Sequence, residues 1–385
     1  MRVDVSQNLP IKLWIGDIEA GALKQAHNLA NLPFVFHHIA LMPDAHLGYG
    51  MPIGGVMATE GVVVPNAVGV DIGCGMYAVQ TDLRRPSPEK LKKILSLIRE
   101  LIPVGFNRHQ IARPENLMPN VSGKHMPVVD REYFKAQSSL GTLGGGNHFI
   151  ELQLDAGGCL WIMIHSGSRN LGKQVADHYN KVAKRLNEKW YSGVTSSIDL
   201  AFLPIDSTEG QCYLDEMDFC VQYALRNRKE MMDQVMEALK EVYNSPFGLH
   251  DPINIAHNYA RVEHHYGKNV MVHRKGATSA KLGEIGVIPG SQGTSSFIIE
   301  GRGNHESFTS CSHGAGRKMG RKQACRTLSL KNEQDGMEGI LHSIRGKKDL
   351  DEAPGAYKDI KVVMENQRDL VDIKVRLQPI AVVKG

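Results

Sequence analysis

The 385-residue chain has no C-x-x-C pair, and its six thiols (Cys74, Cys159, Cys212, Cys220, Cys311 and Cys325) are scattered. In a chain of this length that pattern argues against a disulfide framework and reads as reduced thiols. No run approaches the ~18 consecutive apolar residues that a membrane span requires. The opening MRVDVSQNLPIKLWIGD lacks an apolar stretch of signal-peptide length, so a cytoplasmic location with no membrane partner is expected. Charge of one sign is scarce too: 45 Lys and Arg against 41 Asp and Glu leave only +4. Broad nucleic-acid coaters carry more, so charge alone names no partner. With no internal repeat and no Ser/Pro linker, residues 1–385 read as one integrated domain.

What the chain has in excess is glycine (39) and histidine (17). Glycine without low-complexity runs implies tight turns beside backbone-lined sites, and histidines at loop ends suit metal or acid–base chemistry. Strands are expected at 61–69 (GVVVPNAVG), 159–165 (CLWIMIH), 269–273 (NVMVH) and 296–300 (SFIIE). A helix is expected after Ser87-Pro88, an N-cap and N1 pair followed by Leu91, Ile94, Leu95, Ile98 and Ile102 at helical spacing. Further helices are expected over 173–190, over 215–243 with a break, and over 356–377, the last with Ile360, Val363, Met364, Gln367, Leu370 and Val371 inward. The helical region of about 173–243 reads as a peripheral insertion. The fold class is α+β, with mixed and antiparallel sheets around a central site and helices outside.

Four segments carry chemistry. In Asp71-Ile72-Gly73-Cys74-Gly75 a carboxylate and a thiol, separated by glycine, can turn toward one ion, and a thiolate can bridge two. Alone, the segment is as readily a buried cysteine in a turn. In Gly144-Gly145-Gly146-Asn147-His148-Phe149-Ile150-Glu151 the glycines expose backbone N–H groups to an anion; a flexible turn is the plainer alternative. His165-Ser166-Gly167-Ser168-Arg169 ends an apolar strand with a ligand-type side chain and a phosphate-type cation, although a single such histidine, like His257, is more often a satisfied core residue. In Ser310-Cys311-Ser312-His313-Gly314-Ala315-Gly316-Arg317, small neighbours leave room for a bulky adduct on His313, a plausible nucleotidyl acceptor. The basic stretch 317–322 that follows is most simply a solvated face.

Together with MPDAHLGYG (42–50), AHNYA (256–260), RKGA (274–277), IPGSQGTSSF (288–297) and the terminal VVKG (382–385), these segments closely resemble the RtcB family of RNA-splicing ligases. The resemblance spans nearly the whole chain. It implies an enzyme that joins RNA ending in a 2′,3′-cyclic phosphate or 3′-phosphate to RNA with a 5′-hydroxyl, using GTP and a pair of Mn²⁺ ions through a covalent GMP intermediate. By the same resemblance Asp71, Cys74 and His148 hold one ion, and Cys74, His165 and His257 the other. The guanylate would meet Asn147, His148, Phe149, Ile150, Glu151, His257, Asn258, Pro289, Gly290, Ser291, Gln292, Ser296, His313, Gly314, Ala315, Gly316 and Lys384. His313 would be the nucleophile, with Asp44, Arg317 and Lys384 in the catalytic machinery and Asp44 or His46 handling protons. Arg169, Arg317 and Arg321 would hold RNA phosphates.

From residue type alone a Cys/His-rich pair of sites suits Zn²⁺, since Mn²⁺ prefers oxygen, so the Mn²⁺ expectation rests on the resemblance. Two positions depart from the family pattern: Gly320 stands where many members have serine, and Gln292 where methionine is common. RNA with broken ends, such as tRNA or rRNA, is the expected partner; DNA is not. A di-metal phosphoesterase that opens cyclic phosphates without ligating would need neither His313 nor Lys384, and a non-catalytic RNA-binding factor would need none of these residues. All of them are present, which favours ligation.

Overall fold

Apolar, β-branched segments build two large sheets in the computed structural model, which describes residues 1–120 and 123–385. The larger sheet has seven strands, in spatial order Leu249–Ala256, Gly75–Arg84, Cys159–Ser166, Phe149–Leu154, Val371–Lys384, Ser296–Gly301 and Ile285–Ile288, every neighbouring pair antiparallel. The second has six, ordered Arg2–Asp4, Ile11–Leu13, Val35–His46, Ile53–Thr59, Lys268–Lys275 and Asn258–His265. Only its second and third strands run parallel. Among the described residues no helix is long and apolar enough to cross a membrane.

Three expected strands are found, as Cys159–Ser166, Lys268–Lys275 and Ser296–Gly301. The fourth, 61–69, is a strand only at Val62–Val63. Pro65, with a fixed φ and no N–H to give a ladder, opens the 3-10 turn Pro65–Ala67 instead. The N–H of Val64 donates to His273 Nε2 at 3.0 Å, which satisfies the buried backbone without a sheet partner.

The helix Pro88–Leu101 starts as its sequence demands, with Ser87 Oγ accepting from the Lys90 N–H at 3.3 Å. Its buried Leu91, Ile94, Leu95 and Ile98 pack with Ile162 and Ile164 of the larger sheet, each such side chain contributing about 1.5–3 kcal/mol on burial. Leu171–Lys189 matches the second expectation closely. The helix expected at 215–243 is longer and unbroken: Thr208–Tyr243 spans 36 residues, capped by Ser207 Oγ accepting from the Gly210 N–H at 3.0 Å. It contains no proline, and its one glycine lies in the first turn, so nothing breaks it. Although 173–243 reads as peripheral in sequence, Asn227 and Arg228 of this helix are fully buried.

The helix expected over 356–377 is corrected. Only Ile360–Asn366 is α-helical, and Val371–Lys384 is a strand paired on both sides, with Ser296–Gly301 and Phe149–Leu154. The apolar residues of 360–371 fit a helical period, but Val371-Asp-Ile-Lys-Val-Arg-Leu alternates with period two, and two waiting sheet edges decide the outcome. Pro379 is tolerated because the register shifts between Pro379 and Ala381.

This topology positions the chemistry. In an antiparallel sheet the start of one strand lies beside the end of the next. His257 directly follows the first strand, Cys74 precedes the second, His165 nearly ends the third, His148 precedes the fourth and Lys384 ends the fifth. The pairings Gly75–Ala256, Met76–His165, His165–Phe149 and Phe149–Lys384 bring all five residues to one edge.

Candidate active site

Two groups of side chains share Cys74. The ligand-type atoms of Cys74, His165 and His257 lie within 4.8 Å of one another, as do those of Asp71, Cys74 and His148. Cys74 Sγ stands 3.3 Å from His165 Nε2 and 3.6 Å from His148 Nε2, and His165 Nε2 stands 3.4 Å from His257 Nε2. Asp71 Oδ2 is 3.0 Å from His148 Nε2. With metal–ligand bonds of about 2.0–2.3 Å, donors sharing one ion stand roughly 3–4 Å apart.

The backbone sets which ring nitrogen faces inward. His148 Nδ1 lies 2.9 Å from the Leu143 carbonyl oxygen and His165 Nδ1 3.0 Å from that of Asn147. Each Nδ1–H donates outward and leaves the Nε2 lone pair for the centre, the arrangement usual for metal-binding imidazoles. Burial, together with the neighbouring imidazoles, holds His165 and His257 well below the ordinary histidine range, so both rings are neutral. Burial works against the Asp71 carboxylate, but in the metal-free chain its hydrogen bond with His148 Nε2 outweighs that and brings it down to about 2. Burial and the Asp71 charge push the Cys74 thiol well above its ordinary range, so a thiolate here needs a cation beside it. This donor set fits the binding of divalent metal, with Cys74 common to both groups.

Glycines make the approach feasible. A Cβ on Gly167 would lie 2.3 Å from Asp71 Oδ1. Gly316, at φ +71°, lets the histidine loop run against Asp44, where a Cβ would lie 2.2 Å from the Asp44 carbonyl oxygen.

His313 sits beside this cluster, its ring centroid 4.8 Å from that of His257. Its Nδ1 is 2.6 Å from Asp44 Oδ2, which also accepts from the backbone N–H groups of His313 at 3.0 Å and Gly314 at 3.3 Å. Asp44 is fully buried behind the ring. Burial raises its pKa, but the imidazole of His313 and the more distant Lys358 outweigh that and keep the carboxyl below its usual range. His46, pushed down to about 4 by burial, accepts no role as a neutral-pH cation.

The residues converge on a cavity of about 570 Å³. Of the sequence-derived candidates it is lined by Asp71, Cys74, Asn147, Phe149, Glu151, His165, His257, Asn258, Pro289, Gly290, Ser291, Gln292, His313, Gly314, Ala315, Gly316, Arg317, Arg321 and Lys384, together with His46. His148 and Asp44 stand behind this lining, each bonded to a residue in it. Ile150 is in the apolar core. Ser296 is buried, its Oγ accepting from the Gly290 N–H at 3.2 Å and from Gln153 Nε2 at 3.1 Å. Arg169 lies outside the lining and braces the glycine loop, donating to Thr142 Oγ1 at 2.8 Å and to the Gly105 carbonyl at 2.9 Å.

At the far wall, burial raises Glu151 to about 7 and lowers Lys384, whose ammonium stands 5.8 Å from the Phe149 ring centroid. Gln292 Nε2 donates to the Glu352 carbonyl at 2.8 Å, so this departure from the family pattern ties two cavity loops together.

Several residues of the site escape sequence reasoning. Glu352 takes Arg317 Nη1 at 2.9 Å on one oxygen and Arg321 Nε at 2.8 Å on the other, and the Tyr357 hydroxyl also bonds it. Lys275 donates to the carbonyls of Tyr49 at 2.5 Å and Asn66 at 2.9 Å on the opposite wall. Arg228 donates from behind to the carbonyls of Gly73, Ser166 and Ile255. Glu352 and Arg228 reach the site from distant segments with no motif around them; Lys275 lies in the RKGA motif (274–277), which by itself points to no role for its side chain.

Comparison with known proteins places these features in context. A family profile described as "tRNA-splicing ligase RtcB" matches residues 25–125 and 114–385. The chain is 39% identical to "RNA-splicing ligase RtcB" of Escherichia coli K12, over 99% of this chain and 98% of that protein. It is 32% identical to "tRNA-splicing ligase RtcB" of Thermococcus kodakarensis, covering 94% of this chain and 91% of the relative. A Pyrobaculum aerophilum protein of the same description is also 32% identical, over 98% and 95% respectively. With near-complete coverage on both sides, and the thiol–histidine cluster in its core, the chain belongs to the RtcB family.

Proposed function

We propose that the protein is a GTP- and Mn²⁺-dependent RNA ligase that joins a 2′,3′-cyclic phosphate or 3′-phosphate end to a 5′-hydroxyl end, in RNA repair or tRNA splicing. The observation that carries this reading is the 2.6 Å contact between His313 Nδ1 and Asp44 Oδ2 beside the Cys74 cluster. A carboxylate that accepts a hydrogen bond from Nδ1–H holds the tautomer whose Nε2 lone pair is free for attack, and it stabilises the imidazolium character that attack creates.

His313 Nε2 would attack the α-phosphorus of GTP; the P–N bond forms, the bond to the β-phosphate bridging oxygen breaks, and pyrophosphate departs. The guanylate then passes to an oxygen of the RNA 3′-phosphate as the P–N bond breaks. The 5′-hydroxyl attacks that activated phosphorus and GMP leaves. A cyclic phosphate has first to be opened by hydrolysis to the 3′-phosphate. Held by Asp71, Cys74, His148, His165 and His257, divalent ions would supply positive charge where phosphoryl charge develops. Mn²⁺ in particular is carried by the family resemblance. Arg317 and Arg321, anchored by Glu352, offer their remaining N–H groups to phosphate oxygens. Glu151, Lys384 and the 289–292 loop offer donors and acceptors to a purine.

Incubation with Mn²⁺ and GTP labelled at the α-phosphate tests the reading. An acid-labile, alkali-stable protein–GMP adduct is expected from the wild type and none from His313→Ala. An adduct on that variant would remove His313 from the role. A wild type that opens cyclic phosphates but never joins ends would replace ligation with phosphoesterase activity.

A further inference from the structure

Beside the active-site cavity lies a second groove, of about 550 Å³, lined by Arg321, Lys322, Cys325, Arg326, Lys347, Lys348 and Asp351. Arg321 borders both hollows, so the two adjoin at that side chain. The groove is assembled from segments far apart in sequence. One is the basic stretch that continues into the helix Arg321–Thr327; the other is the 3-10 segment Lys347–Glu352, where Lys347 and Lys348 fall side by side. Cys325 Sγ, 3.8 Å from the Lys348 carbonyl oxygen, marks where the two segments meet.

The charges of this groove are unbalanced. Arg321 is paired with Glu352. Among the described residues, Lys322, Arg326, Lys347 and Lys348 form no ion pair, and all four are exposed. Asp351 is the single carboxylate in the lining. Elsewhere this surface does pair its lysines locally, as Lys173 with Asp177 and Lys229 with Asp233. Four unpaired cations converging on one hollow repel one another, and a polyanion seated there relieves that repulsion and releases its own counterions. Four exposed cations spread over two chain segments suit a flexible backbone bearing a charge at each unit better than a single compact anion.

Building on the ligase reading above, we propose that this groove is the track for the phosphate backbone of a single RNA strand whose terminus lies in the active-site cavity, with Lys322, Arg326, Lys347 and Lys348 holding successive phosphates. The contacts are to backbone, so the track is indifferent to base sequence.

The test uses the full-length, Mn²⁺-loaded protein and a 3′-phosphorylated oligouridylate. In the Lys322→Ala/Arg326→Ala/Lys347→Ala/Lys348→Ala variant, labelling of His313 by GTP stays at the wild-type level. RNA binding weakens, and the slope of log affinity against log salt becomes shallower by roughly 3, four phosphate contacts at about 0.7 each. Joining of long strands shows a raised KM with kcat preserved, whereas very short ends that do not reach the groove are joined as by wild type. An unchanged salt slope and unchanged KM for long strands overturn the proposal, and so assign the charges to another partner such as an acidic protein segment. A footprint on the wild type gives an independent reading should the variant misfold. The oligouridylate protects Lys322, Lys347 and Lys348 from an amine-reactive reagent, and full reactivity of all three with RNA bound is a negative result. Failure of the ligase reading is seen separately, as a wild type that forms no GMP adduct while these lysines are still protected.

Discussion

Arg228, on the long helix Thr208–Tyr243, donates from Nη1 to the Gly73 carbonyl oxygen at 2.9 Å, one residue before the thiol of Cys74. The same nitrogen reaches the Ser166 carbonyl at 2.8 Å, Nη2 reaches that of Ile255 at 3.2 Å, and Nε reaches Asn254 Oδ1 at 2.8 Å. One guanidinium therefore ties together the three chain segments that present Cys74, His165 and His257. Burial lowers this group only to about 10, so it stays charged at neutral pH.

A lysine at that position keeps the charge but not the planar fork. Arg228→Lys is expected to fold with a lowered Tm and to bind metal about 10- to 100-fold more weakly, although all five ligand side chains are intact. Metal titration followed by calorimetry checks this; wild-type affinity in the variant would show that the carbonyl network does not shape the cluster.

Asp44 offers a sharper separation of function from folding. Asn at that position can still accept from the His313 and Gly314 N–H groups, but its amide favours the wrong imidazole tautomer. Asp44→Asn is expected to slow His313 guanylylation by on the order of 10³- to 10⁴-fold, by analogy with the loss of an orienting carboxylate in hydrolytic triads. Metal content should stay at the wild-type level, because Asp44 belongs to neither ligand group. Near-normal adduct formation would sink the orienting role.

Four candidate ligand residues, Asp71, Cys74, His148 and His165, were legible because each falls where an apolar run meets glycine, whereas His257 was reached only through the resemblance carried by AHNYA. Antiparallel pairing brings Cys74, His148, His165 and His257 to one edge of a sheet. Glu352 and Arg228 were not legible. The segment around Glu352, Asp-Glu-Ala-Pro-Gly-Ala-Tyr, is indistinguishable in sequence from a solvent-exposed acidic turn, and only long-range packing brings it under Arg317 and Arg321. Arg228 sits in a helix most of whose charged residues are at least partly exposed, Glu216 being the other buried one. The C-terminal misreading has the same root: a helical period over 360–371 is a local signal, whereas the strand Val371–Lys384 exists because two edges from elsewhere accept it.

Glu352 is itself testable. Its carboxylate is almost completely buried, and removing it strands Arg317, whose side chain is 17% exposed. Glu352→Ala is expected to destabilise the protein by about 3 kcal/mol, the lower end for breaking a buried pair, because the other partner, Arg321, is half solvated. Adduct formation should fall as well, through a raised KM for GTP. Denaturant unfolding and the GTP dependence of labelling check the two parts; full stability would mean that Arg317 finds another partner.

Metal removal addresses Cys74 directly. Chelation of the wild type should lower Tm, because ions that bind only the folded chain stabilise it by mass action. Cys74→Ala removes the one donor common to both groups, so it should lose both ions, lose ligation and show no further Tm change with chelator. Normal metal content with ligation in that variant would contradict a bridging thiolate.

Glu151 predicts the pH dependence of stability in the metal- and nucleotide-free protein. Burial raises its carboxyl from 4.5 to about 7, against the opposing hydrogen bond from Gln153 and the charge of Lys384. The unfolded chain gives up this proton near 4.5 while the folded chain keeps it to about 7. Within that window the folded state binds more protons, so stability falls as pH rises, and the loss is complete above the folded value. Its size is roughly 3 kcal/mol between the two limits. Glu151→Gln has no such proton to lose, so the Tm difference between variant and wild type should move in the variant's favour from about pH 5 to about pH 8. A difference that stays constant across that range would mean that the carboxylate is already ionised and matched in the fold, with Lys384 as the partner that compensates its burial.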